Sequence, residues 1–398
     1  TLNRTAIHRT NADYFSAPDV GIKTFSYMPK YMLLSITGGF TIGGGTENEA
    51  TFRTTSYQLS DDISMIKGKH QIAFGVTSSQ WRSAGYANVR SPGQFTIDGS
   101  VTGAGLADFV AGQMGGANPY LQSAPNTLIA RDWYFGAYAQ DTWKVTPRLT
   151  VNAGVRWEPW FPQQLTNNAI YNFDFARFNS GQRSTVFKNA PLGFYFPGDP
   201  GFPSQSGMNK KWGDLGPRIG LAWDPFGDGK TSIRASYGLA YDFVNGQFFI
   251  NTANAPPWGS ETRIPGPISL SNPFSNSAGI SNIFPITFDV NAPFSLAGPF
   301  IALKYDQKTT GVHSWNLAIQ RQLSSDWLVS ATYLGNETQH LWVSTQANPG
   351  VDLGQGPCTL PNGVTYNPCT QSGNLNQRRV LSLKNRSEER RVGQECRS

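Results

Sequence analysis

No run of about 18 apolar residues, the length a helix needs to cross a bilayer, occurs anywhere in this 398-residue chain, so no transmembrane helix is expected. Charge is also scarce. Asp, Glu, Lys and Arg make up 15% of the residues, and the net charge of +6 comes from basic residues scattered singly. A nucleic-acid footprint needs clustered cations, so no nucleic-acid partner is expected. The four histidines, His8, His70, His313 and His340, stand isolated in sequence. His70 and His313 sit near hairpin positions and read as interface or lumen residues, and no metal or cofactor is expected. Gly43-Gly44-Gly45 lacks the following Lys-Ser/Thr of a phosphate loop. Asp61-Asp62 and Asp224 read as turn formers, so no catalytic constellation is present and an enzyme is not expected. The chain starts at Thr1 and shows no signal peptide.

Cysteine is nearly absent too. Cys358 and Cys369 flank the turn-rich stretch PCTLPNGVTYNPC, which reads as a small loop closed by a disulfide, with two free thiols as the alternative. A disulfide would imply an oxidising compartment.

What remains is a turn-rich β composition: 13% aromatic residues, 42 glycines and 26 prolines. Four hairpins stand out. YQLSDDISMIKGKHQIAFGV (57–76) turns at Lys67-Gly68-Lys69, and RDWYFGAYAQDTWKVTPRLTVNAGVRWEP (131–159) turns at Thr146-Pro147-Arg148. GPRIGLAWDPFGDGKTSIRASYGLAYD (216–242) turns at Asp228-Gly229, a strong hairpin signal, and HSWNLAIQRQLSSDWLVSATYLGNETQHL (313–341) turns at Ser324-Ser325-Asp326. Val151, Ala153, Val155 and Trp157 alternate with Asn152, Gly154 and Arg156, and the other hairpins repeat this two-faced pattern. In the strand before Thr146, aromatics fall on both parities and the faces stay open. One or two further strands are expected within residues 1–50, around Tyr31–Thr37, giving about nine or ten in all.

The strands are long, and the connections alternate between a few residues and tens of residues, over 86–127, 160–214, 243–308 and 342–375. Loops this long are uncommon in compact soluble domains. The expected fold class is therefore all-β: part of an antiparallel transmembrane β-barrel with short periplasmic turns and long extracellular loops. Aromatics crowd the turns, and Trp143, Trp223, Phe226 and Trp327 are candidates for the membrane interface. Arg156, Glu158, Arg234 and Arg321 are candidates for a polar lumen, with ion pairing across strands as the alternative.

The hairpins also carry a resemblance. Tyr138, Gln140, Asp141, Trp143, Leu149, Thr150, Gly154, Arg156 and Glu158 stand as in TonB-dependent outer-membrane receptors of the Oar-like group. The stretch PRIGLAWDPFGDGKTSIRASYGLAYD is similar to that group's next hairpin. GKHQIAFGV, WNLAIQRQL and ATYLGNETQHL follow the same order, covering roughly residues 50 to 380. The resemblance implies a bacterial outer-membrane location and a barrel of about 22 strands closed by a plug. It implies an extracellular ligand of unassigned identity, and energy delivered by the TonB complex through the plug.

The plug and an N-terminal domain are not seen in this chain, so residues 1–384 are expected to be a partial barrel of a longer exported protein. Such a piece, with open edges, is expected not to insert stably alone. The tail NRSEERRVGQECRS breaks the alternation and is expected to be non-native or disordered over 385–398. Two rival readings are a passive porin-like or structural outer-membrane barrel, and a secreted glycan-binding β protein.

Overall fold

The two-residue alternation of the hairpins builds one sheet. In this computed structural model, residues 1–384 are described except 12, 45–48, 245, 276–279, 296–297 and 299. The tail expected at 385–398 lies outside the described residues. Nine wall strands run antiparallel in chain order. They are β1 (Leu2–Arg9), β2 (Ala50–Lys67), β3 (His70–Ala87), β4 (Asn126–Thr146), β5 (Leu149–Trp157), β6 (Leu215–Trp223), β7 (Thr231–Asp242), β8 (Thr310–Gln322) and β9 (Leu328–Gln339). Because the strands alternate in direction, all four short turns lie at one end of the wall and all long connections at the other. Glycine at φ 62° in Gly68 makes the two-residue turn between β2 and β3. The longer β6–β7 turn is held by Asp224, whose carboxylate accepts from the amides of Phe226, Gly227 and Gly229.

β2 and β3 have 18 residues each and β4 has 21. At ~3.4 Å per residue, β4 reaches roughly 70 Å, beyond what a bilayer needs. β1 and β9 are each paired on one side only among the described residues.

At the loop end the chain is far from structureless. Segments of three different connections form a five-stranded sheet in the order Thr262–Ile264, Tyr120–Gln122, Gln94–Ile97, Leu33–Ile36, Thr41–Ile42. Leu34, Ile36, Phe95, Ile97, Met114, Tyr120, Ile264 and Ile268 are buried beneath it. A second, aromatic core gathers Tyr171 and Phe196 with Phe187, Phe194, Trp258, Phe294 and Phe300. A third packs Trp160, Leu165, Met208 and Phe249 onto Trp81, Leu128 and Ala130 at the upper ends of β3 and β4. These connections form a folded cap anchored on the wall.

Several buried carboxylates of the cap are held by hydrogen bonds or ion pairs. Asp108, in the short helix Gly105–Val110, accepts from the amides of Val101 (3.1 Å) and Thr102 (2.7 Å) and from the Thr102 hydroxyl (2.6 Å). Asp199 accepts from the Ser184 and Thr185 hydroxyls and from the amides of Thr185 and Phe196. Buried Glu261 lies between Arg90 and Arg263, tying two connections together. Cys358 and Cys369 are bonded, their Cα atoms 5.2 Å apart, and Asn374, which accepts from the buried Arg378, donates to the Cys369 carbonyl.

Two expectations need correction. The strand expected at Tyr31–Thr37 exists as Leu33–Ile36, but it belongs to the cap, where it pairs in parallel with Gln94–Ile97. Its consecutive buried Leu33 and Leu34 suit a strand covered on both faces, not a two-faced wall strand. The first wall strand is Leu2–Arg9 instead. Asp61 and Asp62 do not form a turn: both lie within β2, pairing with Val76 and Gly75.

Candidate functional site: the polar face of the wall

Directly paired residues of antiparallel strands point to the same side, so the register assigns every wall residue to a face. One apolar row runs Trp143, Val151, Leu221, Ala235, Leu317, Tyr333 across β4 to β9. A second runs Phe74, Ala139, Val155, Pro217 across β3 to β6. The large apolar side chains on this face, Ile63, Ile219, Leu317 and Ile319 among them, are exposed. The register also settles β4. Trp133, Phe135 and Trp143 take the apolar face, and Tyr134, Tyr138 and Gln140 take the other.

Trp143, Trp223, Phe226 and Trp327 are all exposed and all at the turn end. Trp143 stacks on His70, whose Nδ1 is 2.6 Å from Asp141. A second set lies toward the loop end. Phe135 packs edge-on against Trp157, and Trp157 donates its indole N–H to the Trp212 carbonyl. Trp133 and Trp143 are ten residues apart on β4. That is roughly 34 Å of strand, or ~26 Å of height at a tilt of ~40°, comparable to the ~25 Å apolar band of outer-membrane barrels.

The opposite face is polar and has two unlike halves. Over β2 to β5, Arg156, Glu158 and Asp62 are tied to polar partners. Arg156 pairs with Glu158 at 2.9 Å and donates to the Tyr134 hydroxyl, which in turn donates to Glu158. Tyr138 donates its hydroxyl to Asp62 at 2.7 Å. Over β6 to β9 three register rows make an open grid. They read Gly154-Arg218-Gly238-Ser314-Asn336, Asn152-Gly220-Ser236-Asn316-Leu334 and Thr150-Ala222-Arg234-Ala318-Thr332. The small side chains leave a concavity of about 540 Å³ here, lined by Arg218, Ser236, Ser314, Asn316 and Asn336 among others.

Of the residues proposed from sequence for a polar lining, Arg156 and Glu158 come together and Arg234 shares their face. Arg321 departs from that expectation. It pairs with Thr231 and Val329 in register with Ile319, two residues back, so it lies on the apolar face at the turn end. There its guanidinium sits 5.1 Å over the Phe226 ring, 3.9 Å from Asp228 and against the Thr231 hydroxyl. A long cationic side chain on an apolar surface reaches for polar partners at the edge in this way. Arg218, Tyr134 and Tyr138 escape the sequence reading. For Arg218 the parity signal is present in Pro217-Arg218-Ile219-Gly220. For the tyrosines it is hidden by the mixed aromatics of β4.

Residues 2–390 match a family model described as outer membrane beta barrel domain. No curated protein matches the chain. Among solved structures it is similar to the outer membrane transporter YddB from Escherichia coli, at 12% identity and TM-score 0.40, covering 85% of this chain and 31% of that one. It is also similar to the siderophore receptor PirA from Acinetobacter baumannii, at 13% identity and TM-score 0.34, covering 84% and 34%. For the copper transporter OprC the identity is 11%, the TM-score 0.30 and the coverage 69% and 29%. The chain spans about a third of the length of these structures.

Proposed function

The chain belongs to the outer-membrane β-barrel family, and from that premise we propose that it is a wall segment and loop cap of an energy-coupled receptor for an extracellular solute. One observation carries the reading: a single sheet with an exposed apolar band on one face and a hydrogen-bonded polar surface on the other. Lipid accepts the first face only, because unpaired polar groups cost several kcal/mol each in hydrocarbon. A water-filled lumen suits the second. Trp143, Trp223, Phe226 and Trp327 then sit at one headgroup level, and Trp133, Trp157 and Trp212 near the other.

The once-paired edges of β1 and β9 support closure by further strands of a longer protein. Energy coupling rests on the ordered sequence resemblance to Oar-like TonB-dependent receptors. The cap, with its own buried cores, suits capture of a solute before passage. Cys358 and Cys369 would staple a loop of the connection that follows β9.

The test is the conductance of the full-length protein in planar bilayers, after fractionation places it in the outer membrane. A closed, energy-dependent receptor stays silent without its energy source. Steady open channels would overturn the energy-coupled reading and favour a passive porin. Recovery of the protein in the soluble fraction would overturn both.

A further inference from the structure

The polar face is divided. On its β2–β5 half, Arg156 is held by Glu158 and Tyr134, and Asp62 by Tyr138. The β6–β9 half shows no such pairing among the described residues. In the three rows that join β6, β7, β8 and β9, the only charged residues are Arg218 and Arg234. Both side chains are exposed, and neither forms an ion pair among the described residues.

Their setting is shaped. Arg218 lies in one row and Arg234 two rows away on the next strand, so their Cα atoms are roughly 14 Å apart by strand spacing. The row between them is Asn152, Gly220, Ser236 and Asn316, small or hydrogen-bonding at each of these positions, and ends at Leu334 on β9. The Asn316 amide is oriented by donation to the Ser236 hydroxyl at 2.6 Å. The stem of Arg218 passes over Gly238, with Cγ at 3.7 Å from where a β-carbon would stand. The Arg218 arm thus borders the 540 Å³ concavity, whose lining includes Ser236, Ser314, Asn316, Asn336 and Leu334, and Arg234 stands outside that lining, one register row further along the strands.

We propose that this shelf binds a small soluble oxyanion, a polycarboxylate or a phosphate-bearing solute, on its way past the wall. The inference rests on the reading of the polar face as the solute-facing side. Guanidinium groups match carboxylate and phosphate geometry in bidentate fashion, and the Ser and Asn side chains complete the anion's hydrogen bonding. No acidic side chain in these rows competes for the arginines.

The test is equilibrium binding of citrate and of inorganic pyrophosphate, at fixed ionic strength, to the full-length protein purified from outer membranes in detergent. Wild type is expected to bind at least one of them saturably. Arg218→Gln and Arg234→Gln are each expected to weaken binding by ~10-fold, with Arg→Lys recovering part of the loss. Lys67→Gln, at the turn end of β2, serves as the charge control and is expected to change nothing. Absence of saturable binding by wild type overturns the proposal, including the case in which carboxylates of another polypeptide segment already hold the arginines. Equal binding by the Gln variants overturns it as well. Heat-modifiable electrophoretic mobility of the same samples separates the two readings. A folded outer-membrane protein that ignores both anions refutes the shelf alone.

Discussion

Ile219 and Tyr120 are both large and apolar, yet Ile219 on the wall is 55% exposed and Tyr120 in the cap is fully buried. That contrast holds region by region. The wall is ordered by long ladders of backbone hydrogen bonds and leaves its apolar side chains outward. The cap has short strands, and its order comes from packed apolar cores. One chain thus carries two solutions to the same problem. Where lipid supplies the apolar phase, the protein need only present a surface; where water surrounds it, the protein must build its own interior.

The contrast breaks most visibly in the cap. Phe95→Ala opens a cavity in a fully buried site and is expected to cost ~3–5 kcal/mol. Limited proteolysis should then cut the connections while the wall keeps its heat-modifiable mobility. Loss of both together would show that wall and cap fold as one unit. On the wall, Val155→Arg places a charge midway up the apolar band and is expected to cost ~2–4 kcal/mol, read from folding in lipid vesicles. The matched change Asn152→Arg, on the polar face of the same strand, should cost close to nothing. Equal costs would mean that the two faces do not differ as described.

Acid should sharpen the comparison further. Thr102 and neighbouring amides hold the Asp108 carboxyl below its usual range. Burial pushes Asp199 upward, but its hydrogen bonds to Ser184, Thr185 and Phe196 outweigh that and lower it. A carboxyl lower in the folded than in the unfolded chain contributes stability that is complete above about pH 4 and is lost as pH falls through the folded value. Cap tryptophan fluorescence is therefore expected to report a transition in the acid range, moved by Asp199→Asn. The smallest effect belongs to the interface. Phe226→Ala removes the ring beneath Arg321 and should shift unfolding in lipid by about 0.5–1 kcal/mol.

Much of the wall is legible in the amino-acid order. Period-two alternation marks the four hairpins, and their turn residues locate all four short turns within a residue or two. The strands extend further than the alternation shows, because β2 to β4 continue above the bilayer band, where the two-faced constraint lapses. Leu33–Ile36 shows the opposite failure. It is recognisable as a strand, but nothing local says that its partner is Gln94–Ile97, some 60 residues away.

By itself, then, the amino-acid order determined the β class, the alternation of short and long connections and the apolar band of the wall. Those follow from local periodicity and turn chemistry, which each hairpin carries within about 30 residues. Only the tertiary structure decided the register. Register placed Arg321 with the apolar rows, brought Arg156 to Tyr134 and Glu158, and left Arg218 and Arg234 without a counter-charge among the described residues. It also gathered distant connections into one cap. Pairing across strands depends on which segments meet, and a shift of one residue would exchange the two faces.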